Sequence, residues 1–250
     1  MARSVRPVRR VERHPDAAVD PAAWPDSVPA VHQLLTRGLD LPAGVIFLVG
    51  ENGAGKSTVV EAVAEAVGVH PDGGGSAHRA GGARSRGTDR SGLAARLRVV
   101  SSPGGTGGAF FLRAETMHRF YSYLEDAAWD GEGEPTSPHP LHGVSHGEGF
   151  VEVLQSRWLR EARLVLLDEP ESALSFDNCL LLAGSLARMA DDGKQVLCAT
   201  HSPLLTALPG ATVLQLDEDG ITPTTWEELT IVRNWRFFLD APQRYLRHVL

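Results

Sequence analysis

The feature that most constrains this chain is the run Gly50-Glu51-Asn52-Gly53-Ala54-Gly55-Lys56-Ser57, which fits G-x-x-x-x-G-K-[ST] at every fixed position. Its flanks are the ones that pattern requires. Before it, Val45 to Val49 is a β-branched and aromatic run bounded by Gly44 and Gly50, the mark of a buried parallel strand. After it, Ser57 to Val67 sets Val59, Val60, Val63, Ala64 and Val67 at helical spacing, and Gly68 stops the helix. Glycines let the backbone fold tightly enough for successive N–H groups to face one phosphate chain, and the helix N-terminus adds partial positive charge. Lys56 is suited to neutralise β and γ oxygens, and the Ser57 hydroxyl to ligate magnesium. The pattern implies binding of a nucleoside triphosphate, without selecting adenine over guanine.

A second block, Leu164-Val165-Leu166-Leu167-Asp168-Glu169-Pro170, puts two carboxylates at the C-terminal end of an apolar strand, where ligands collect in open α/β sheets. Taken alone, paired acids there can merely cap a following helix. With the phosphate loop upstream, Asp168 is expected to hold magnesium and Glu169 to orient the water that attacks the γ-phosphorus. The separation of 112 positions from Lys56 to Asp168 leaves room for a helical subdomain.

Strand and helix patterns alternate at both ends of the chain. An edge strand is expected at Leu34 to Leu39, and further strands at Leu97 to Val100, Ala109 to Leu112, Gln195 to Ala199 and Thr212 to Leu216. Helices are expected at Glu115 to Ala128, Phe150 to Ala162 and Asn178 to Ala190, with a helical segment near Pro203 to Leu208. The fold class is therefore α/β, with a parallel-sheet core and a largely helical insert. Residues 1–30 read as an extended basic lead-in and 31–250 as a single domain, with a helical lobe over about 115–162. A Gly, Ser, Ala and Arg stretch over about 71–92 reads as a flexible surface insertion.

Hydrophobic residues make up 42% of the 250, which excludes disordered and fibrous classes. The net charge of −7 excludes a polybasic nucleic-acid clamp, although Arg3, Arg6, Arg9, Arg10 and Arg13 cluster against Glu12. That cluster is either a solvated tail or a DNA-tracking arm. Neither a leader nor a membrane span is expected, because the longest apolar runs are short, so the expected setting is cytoplasmic. Cys179 and Cys198 lack metal-ligand spacing and read as reduced packing residues.

Four blocks together resemble the ABC-type ATPase superfamily, and more narrowly the small stand-alone AAA-family ATPases of bacteria. They are Gly50 to Thr58, Val144 to Glu148, Leu166 to Ser175, and Ala199-Thr200-His201-Ser202-Pro203, in the family's order. The resemblance implies ATP and Mg²⁺ as ligands and hydrolysis of the γ-phosphate. It also implies an ATP-dependent homodimer in which Ser145 and Gly147 of one copy meet the phosphate held by the other. Ser145-His146-Gly147-Glu148 looks like the family signature with His146 and Glu148 substituted; locally it also reads as a capping box. His201 resembles the switch histidine. Arg113-Ala114-Glu115 resembles the family's sensing loop, with Glu115 standing where the family has a glutamine that meets magnesium; a helix-terminal acid is the alternative. Glu171 to Ser175 resembles the loop that crosses the dimer interface, with Ser175 in place of an aspartate.

Trp24 either packs in a core or stacks on adenine. His139, His142 and His146 have the spacing of a polar loop rather than a closed zinc site. The function expected is an ATPase. The alternatives are a DNA repair, recombination or defence ATPase, and a transporter's cytoplasmic ATP-binding subunit.

Overall fold

The computed structural model describes residues 6–69, 74–75, 91–103, 108–113, 157–172, 174–247 and 249. Among these, a seven-stranded sheet carries the architecture. Its parallel centre comprises β3 (Val45–Gly50), β6 (Ala109–Arg113), β7 (Leu164–Asp168), β8 (Gln195–Thr200) and β9 (Thr212–Asp217), in spatial order β9-β3-β8-β7-β6. Two antiparallel strands flank it: β10 (Gly220–Thr224) beside β9 and the short β4 (Gly74–Gly75) beside β6. The expected α/β parallel core is thus present.

Period-2 alternation divides the central strands between two apolar layers. Ile46, Leu48, Leu164, Leu166, Leu197 and Ala199 face one layer, while Phe47, Val49, Val165, Leu167, Val196 and Cys198 face the other. Helix α1 (Pro29–Arg37) and helix α2 (Lys56–Ala66) cover the first face through Val31, Leu34, Val59, Val60 and Val63. Helix α4 (Phe176–Asp191) covers the second with Leu182, Leu186 and Met189. Near it lies α3 (Arg157–Glu161), whose last carbonyls are capped by Lys194 Nζ, at 2.7 Å from Leu159 O and 2.6 Å from Arg160 O. The chain closes with α5 (Thr230–Asp240) and α6 (Pro242–Leu246). Among the described residues no helix is long and apolar enough to cross a membrane.

A smaller antiparallel sheet corrects the reading of the N-terminus. Here β1 (Val8–Arg13) lies between β2 (Leu39–Asp40) and β5 (Leu97–Ser101). Within the basic stretch, Val8–Arg13 is therefore a structural strand, with Val8 and Val11 fully buried, rather than part of an extended lead-in or a solvated tail. Arg10 pairs with Glu12 at 3.0 Å and Asp40 at 2.9 Å, and Arg13 bonds to the carbonyl of Ala17. The strand at Leu97 belongs to this sheet, outside the parallel core.

The expected edge strand at Leu34 to Leu39 is also corrected. Pro29 opens a helix that buries Ala30, Val31, Leu34 and Leu35 and runs to Arg37, leaving only Leu39–Asp40 extended. The two sheets are joined by Gln195, at the start of β8. Its amide accepts from Val8 N at 2.9 Å and donates toward Val8 O at 2.8 Å and Pro42 O at 2.7 Å. The helix expected at Glu115 to Ala128, most of the 115–162 lobe and most of the 71–92 stretch lie outside the described residues.

Candidate functional site

The register of the central sheet sets the site. Val49 lies level with Thr200, Gly50 with Leu216, Ala199 with Asp168, and Asp168 with Arg113. The strand ends that carry polar side chains therefore finish along one edge, where parallel strands present their C-termini.

Between β3 and α2 the chain turns through Gly50 to Gly55. Gly55 precedes the helix at φ 93°, a left-handed value open to glycine, and a side chain at Gly50 would meet Leu216 O at 2.3 Å. Glu51, Asn52 and Gly53 are exposed, and Ala54, Gly55, Ser57 and Thr58 are half-buried. Lys56 is only 4% exposed; its Nζ donates to the carbonyls of Gly50 at 2.9 Å and Glu51 at 3.1 Å. Burial lowers its pKa, while the carboxylates of Glu169, Asp168 and Glu171 work against that shift. A buried ammonium resting on two loop carbonyls is poised to exchange them for anionic oxygens.

Asp168 ends β7 at 2% exposure. Burial pushes its pKa up to about 6, partly opposed by the hydrogen bond from Ser57 and the charge of Arg113. Arg113 Nε stands 3.4 Å from Asp168 Oδ2, and its guanidinium also pairs with Glu61. Asp168 Oδ1 is buried and accepts no hydrogen bond. An orphaned hard oxygen beside a serine hydroxyl fits a magnesium ion, which takes few protein ligands and keeps the rest as water and phosphate oxygens. Among the described residues no cluster of three or more His, Cys, Asp or Glu could hold a metal ion by itself.

Glu169 follows with φ 48°, a value that costs a non-glycine residue roughly 1–2 kcal/mol. Its N–H donates to Ala199 O at 2.9 Å, holding this turn against β8. The bend aims the carboxylate at the loop after β8, where Glu169 Oε1 comes to 3.2 Å from His201 Nε2. Both side chains are about one third exposed, at 37% and 29%, so the pair lies open to an incoming ligand.

The structure thus brings together Gly50 to Thr58, Asp168, Glu169 and His201. Glu115, Ser145, Gly147 and Glu148 lie outside the described residues, as do His139, His142 and His146. Ser175 acts locally, its hydroxyl accepting from Asn178 N at 3.3 Å as the N-cap of α4. Trp24 is 56% exposed, which overturns the core-packing alternative. Cys179 and Cys198 are free and buried, with thiol pKa values raised by burial, as packing residues should be.

Glu171, read in sequence as the start of the loop that crosses the dimer interface, joins the site in a role which that resemblance does not assign. Its Oε1 accepts from Thr200 Oγ1 at 2.6 Å and from His201 N at 2.7 Å. In the sequence, its place two residues after the acidic pair is the one signal of this. Arg113 reads in sequence as the start of a sensing loop, yet its side chain reaches both Glu61 and Asp168.

No family model matches the chain. Over 191 residues, 69% of this chain and 37% of the relative, it is 29% identical to the arabinose import ATP-binding protein AraG of Chromohalobacter salexigens. It is 32% identical over 191 residues, 68% of this chain and 32% of the relative, to a protein of Streptomyces avermitilis described as an ABC transporter ATP-binding protein. The chain spans about a third of the length of these curated relatives. Two solved structures have TM-scores of 0.46. One is a chain from a metal-chelate type ABC transporter in an inward-facing conformation, at 17% identity, covering 77% of this chain and 76% of that one. The other is cbiO1 of Clostridium perfringens, part of the complex cbiONQ, at 14% identity, covering 85% of this chain and 90% of that one.

Proposed function

We propose that this chain, an ABC-type P-loop ATPase, binds ATP with Mg²⁺ at the edge of its parallel sheet and hydrolyses the γ-phosphate there. The observation that carries the reading is the convergence of Lys56, Ser57, Asp168, Glu169 and His201 on one sheet edge, through the pairing of β3, β8 and β7. Similarity to ATP-binding proteins over two thirds of the chain supports it independently.

In this reading the loop N–H groups and Lys56 cradle the β and γ phosphates, with Lys56 trading its two carbonyl partners for phosphate oxygens. Ser57 and Asp168 would hold a magnesium ion, which when bound would supply charge neutralisation at the phosphates. Glu169 orients the attacking water and receives its proton as the water oxygen bonds to the γ-phosphorus and the bond to the β–γ bridging oxygen breaks, releasing ADP and phosphate, and His201 holds the γ-phosphate end in line. Catalysis is positioning and electrostatics, without a covalent intermediate. Glu115 is a further proposed contact to the metal. Exposed Trp24 precedes Val28, which packs beside Gly55, and is assigned to stacking on adenine. Two copies are proposed to close on ATP, with Ser145 and Gly147 of each meeting the phosphate bound by the other.

The relatives' names favour one second reading, a cytoplasmic-side subunit that drives a transporter. A role on DNA draws on the N-terminal arginines, and two of these, Arg10 and Arg13, are engaged within the protein.

The test is phosphate release from Mg-ATP by the full chain, with and without DNA, alongside ATP binding by calorimetry. The expected result is turnover independent of DNA, with Lys56→Ala weakening ATP binding at least about 100-fold, since several charge-assisted contacts vanish together. Undiminished affinity in Lys56→Ala, or no magnesium-dependent turnover by the wild type, would overturn the reading.

A further inference from the structure

Glu171 acts on Lys56 through its charge, and it also holds the segment that carries His201. One carboxylate oxygen, Oε1, takes both the Thr200 hydroxyl at 2.6 Å and the His201 backbone N–H at 2.7 Å. Two donors converging on one ionised oxygen form charge-assisted bonds, roughly twice as strong as neutral ones. The other oxygen, Oε2, is buried without a hydrogen-bond partner, a cost that the clamp must offset. The network continues outward: Thr200 Oγ1 accepts from Ser202 N at 2.9 Å, and Ser202 Oγ accepts from Leu205 N at 3.3 Å, opening the turn Leu205–Ala207. Across the gap between β7 and β8, Glu169 N is tied to Ala199 O at 2.9 Å. The loop after β7 is thus fastened to β8 at Glu169 and again at Glu171, and His201 leaves the sheet from the second fastening.

From this geometry we infer that Glu171 is a positioning residue: by clamping Thr200 and the His201 N–H it sets the distance and angle at which His201 faces Glu169, and hence the alignment of water and γ-phosphate. The inference rests on the ATPase reading above. Glu171 acts through His201 and makes no contact of its own with the nucleotide. A displacement of about 1 Å at such a pair can cost on the order of 100-fold in rate.

The test combines turnover with a measurement made without nucleotide. In the nucleotide-free protein the His201 amide proton should resonate far downfield, move upfield in Glu171→Ala, and return in Glu171→Gln, whose amide oxygen still accepts both donors. With Mg-ATP, Glu171→Ala should lower kcat about 10- to 100-fold with little change in ATP affinity, and Glu171→Gln should recover to within a few-fold of wild type. In a His201→Ala background Glu171→Ala should cost nothing further, because the residue it positions is gone. Glu171→Asp, one methylene too short to reach both donors, should repeat the alanine result if the alanine variant does not fold. An equal loss of kcat with or without His201, an unmoved amide resonance, or unfolding of both the Ala and Asp variants would overturn the positioning role. A wild type without magnesium-dependent turnover would instead overturn the ATPase reading, leaving the nucleotide-free resonance to report on the clamp alone.

Discussion

The large sheet and the small one solve different problems with the same strand geometry. In the parallel sheet β3, β7 and β8 are buried on both faces, so their side chains are committed to packing and the strand ends are left for chemistry. In the small sheet β1 presents Val8 and Val11 inward, while Arg10 and Glu12 make ion pairs on the outer side. The first is held by apolar layers on both faces and positions polar tips; the second shares one of those layers through Val8, Val11, Leu39 and Leu97 and adds specific polar contacts on its other side. Gln195, buried at 1% exposure, joins them by answering the backbone of β1 from inside the large sheet. Polar fastening of this kind is expensive to break, because each buried group left unpaired costs about 1–3 kcal/mol.

That contrast can be broken or sharpened by substitution. The largest effect belongs to the tips of the large sheet: Glu169→Gln should reduce ATP turnover about 1000-fold, near 4 kcal/mol, while leaving ATP affinity intact and prolonging any ATP-dependent dimer. Single-turnover kinetics with calorimetry checks it, and a loss of affinity equal to the loss of rate would show that Glu169 serves binding. Next comes the fastening between the sheets. Gln195→Leu should lower unfolding stability by about 3 kcal/mol in urea melts, because the Val8 N–H and the carbonyls of Val8 and Pro42 lose their partners. ATP affinity of the folded protein should not change. A parallel fall in affinity would mean that the small sheet shapes the site.

The smallest effect lies beside the small sheet, where Arg96 on the turn before β5 places Nη2 and Nη1 at 2.7 and 2.8 Å from the two oxygens of Asp26. The Arg96 hydrogen bond holds the Asp26 carboxyl below its ordinary value of 3.8, against the opposing effect of burial. A depressed folded-state value means that this stabilisation is present above the unfolded value and is lost as pH falls through the folded one. Asp26→Asn should therefore cost about 2 kcal/mol near neutral pH, with the gap to wild type narrowing below about pH 4. Melts across that range measure it, and a pH-independent gap would assign the effect to packing.

Local pattern made much of the candidate site legible. A phosphate loop needs its glycines and lysine in consecutive order, and an acidic pair on a strand declares itself by the apolar run before it, so both can be read one segment at a time. The small sheet was illegible for an identifiable reason. A register shift between Val8 and Arg10 breaks the alternation, leaving Val8 and Val11 three apart on the buried side of a run otherwise made of charge. In β10, Pro223 argues against a strand, and only its edge position tolerates it. Helix α5 has no side-chain cap, so its start was not marked, although Val232, Trp235 and Leu239 recur at helical spacing along it.

Glu171 illustrates the remaining gap. Its sequence position says that it follows the acidic pair, and nothing local says that a strand 30 residues later will end against it. By itself, then, the order of residues determined the chemistry available: a loop able to hold phosphates, carboxylates suited to metal and water, and a histidine after a strand. Tertiary structure decided which of these meet, because pairing of β3, β8 and β7 is a long-range event whose register depends on both buried faces at once. It also decided that a basic N-terminus becomes a strand, since the partners that neutralise it, Asp40 and Arg98-bound Glu12, come together only when β2 and β5 close around β1.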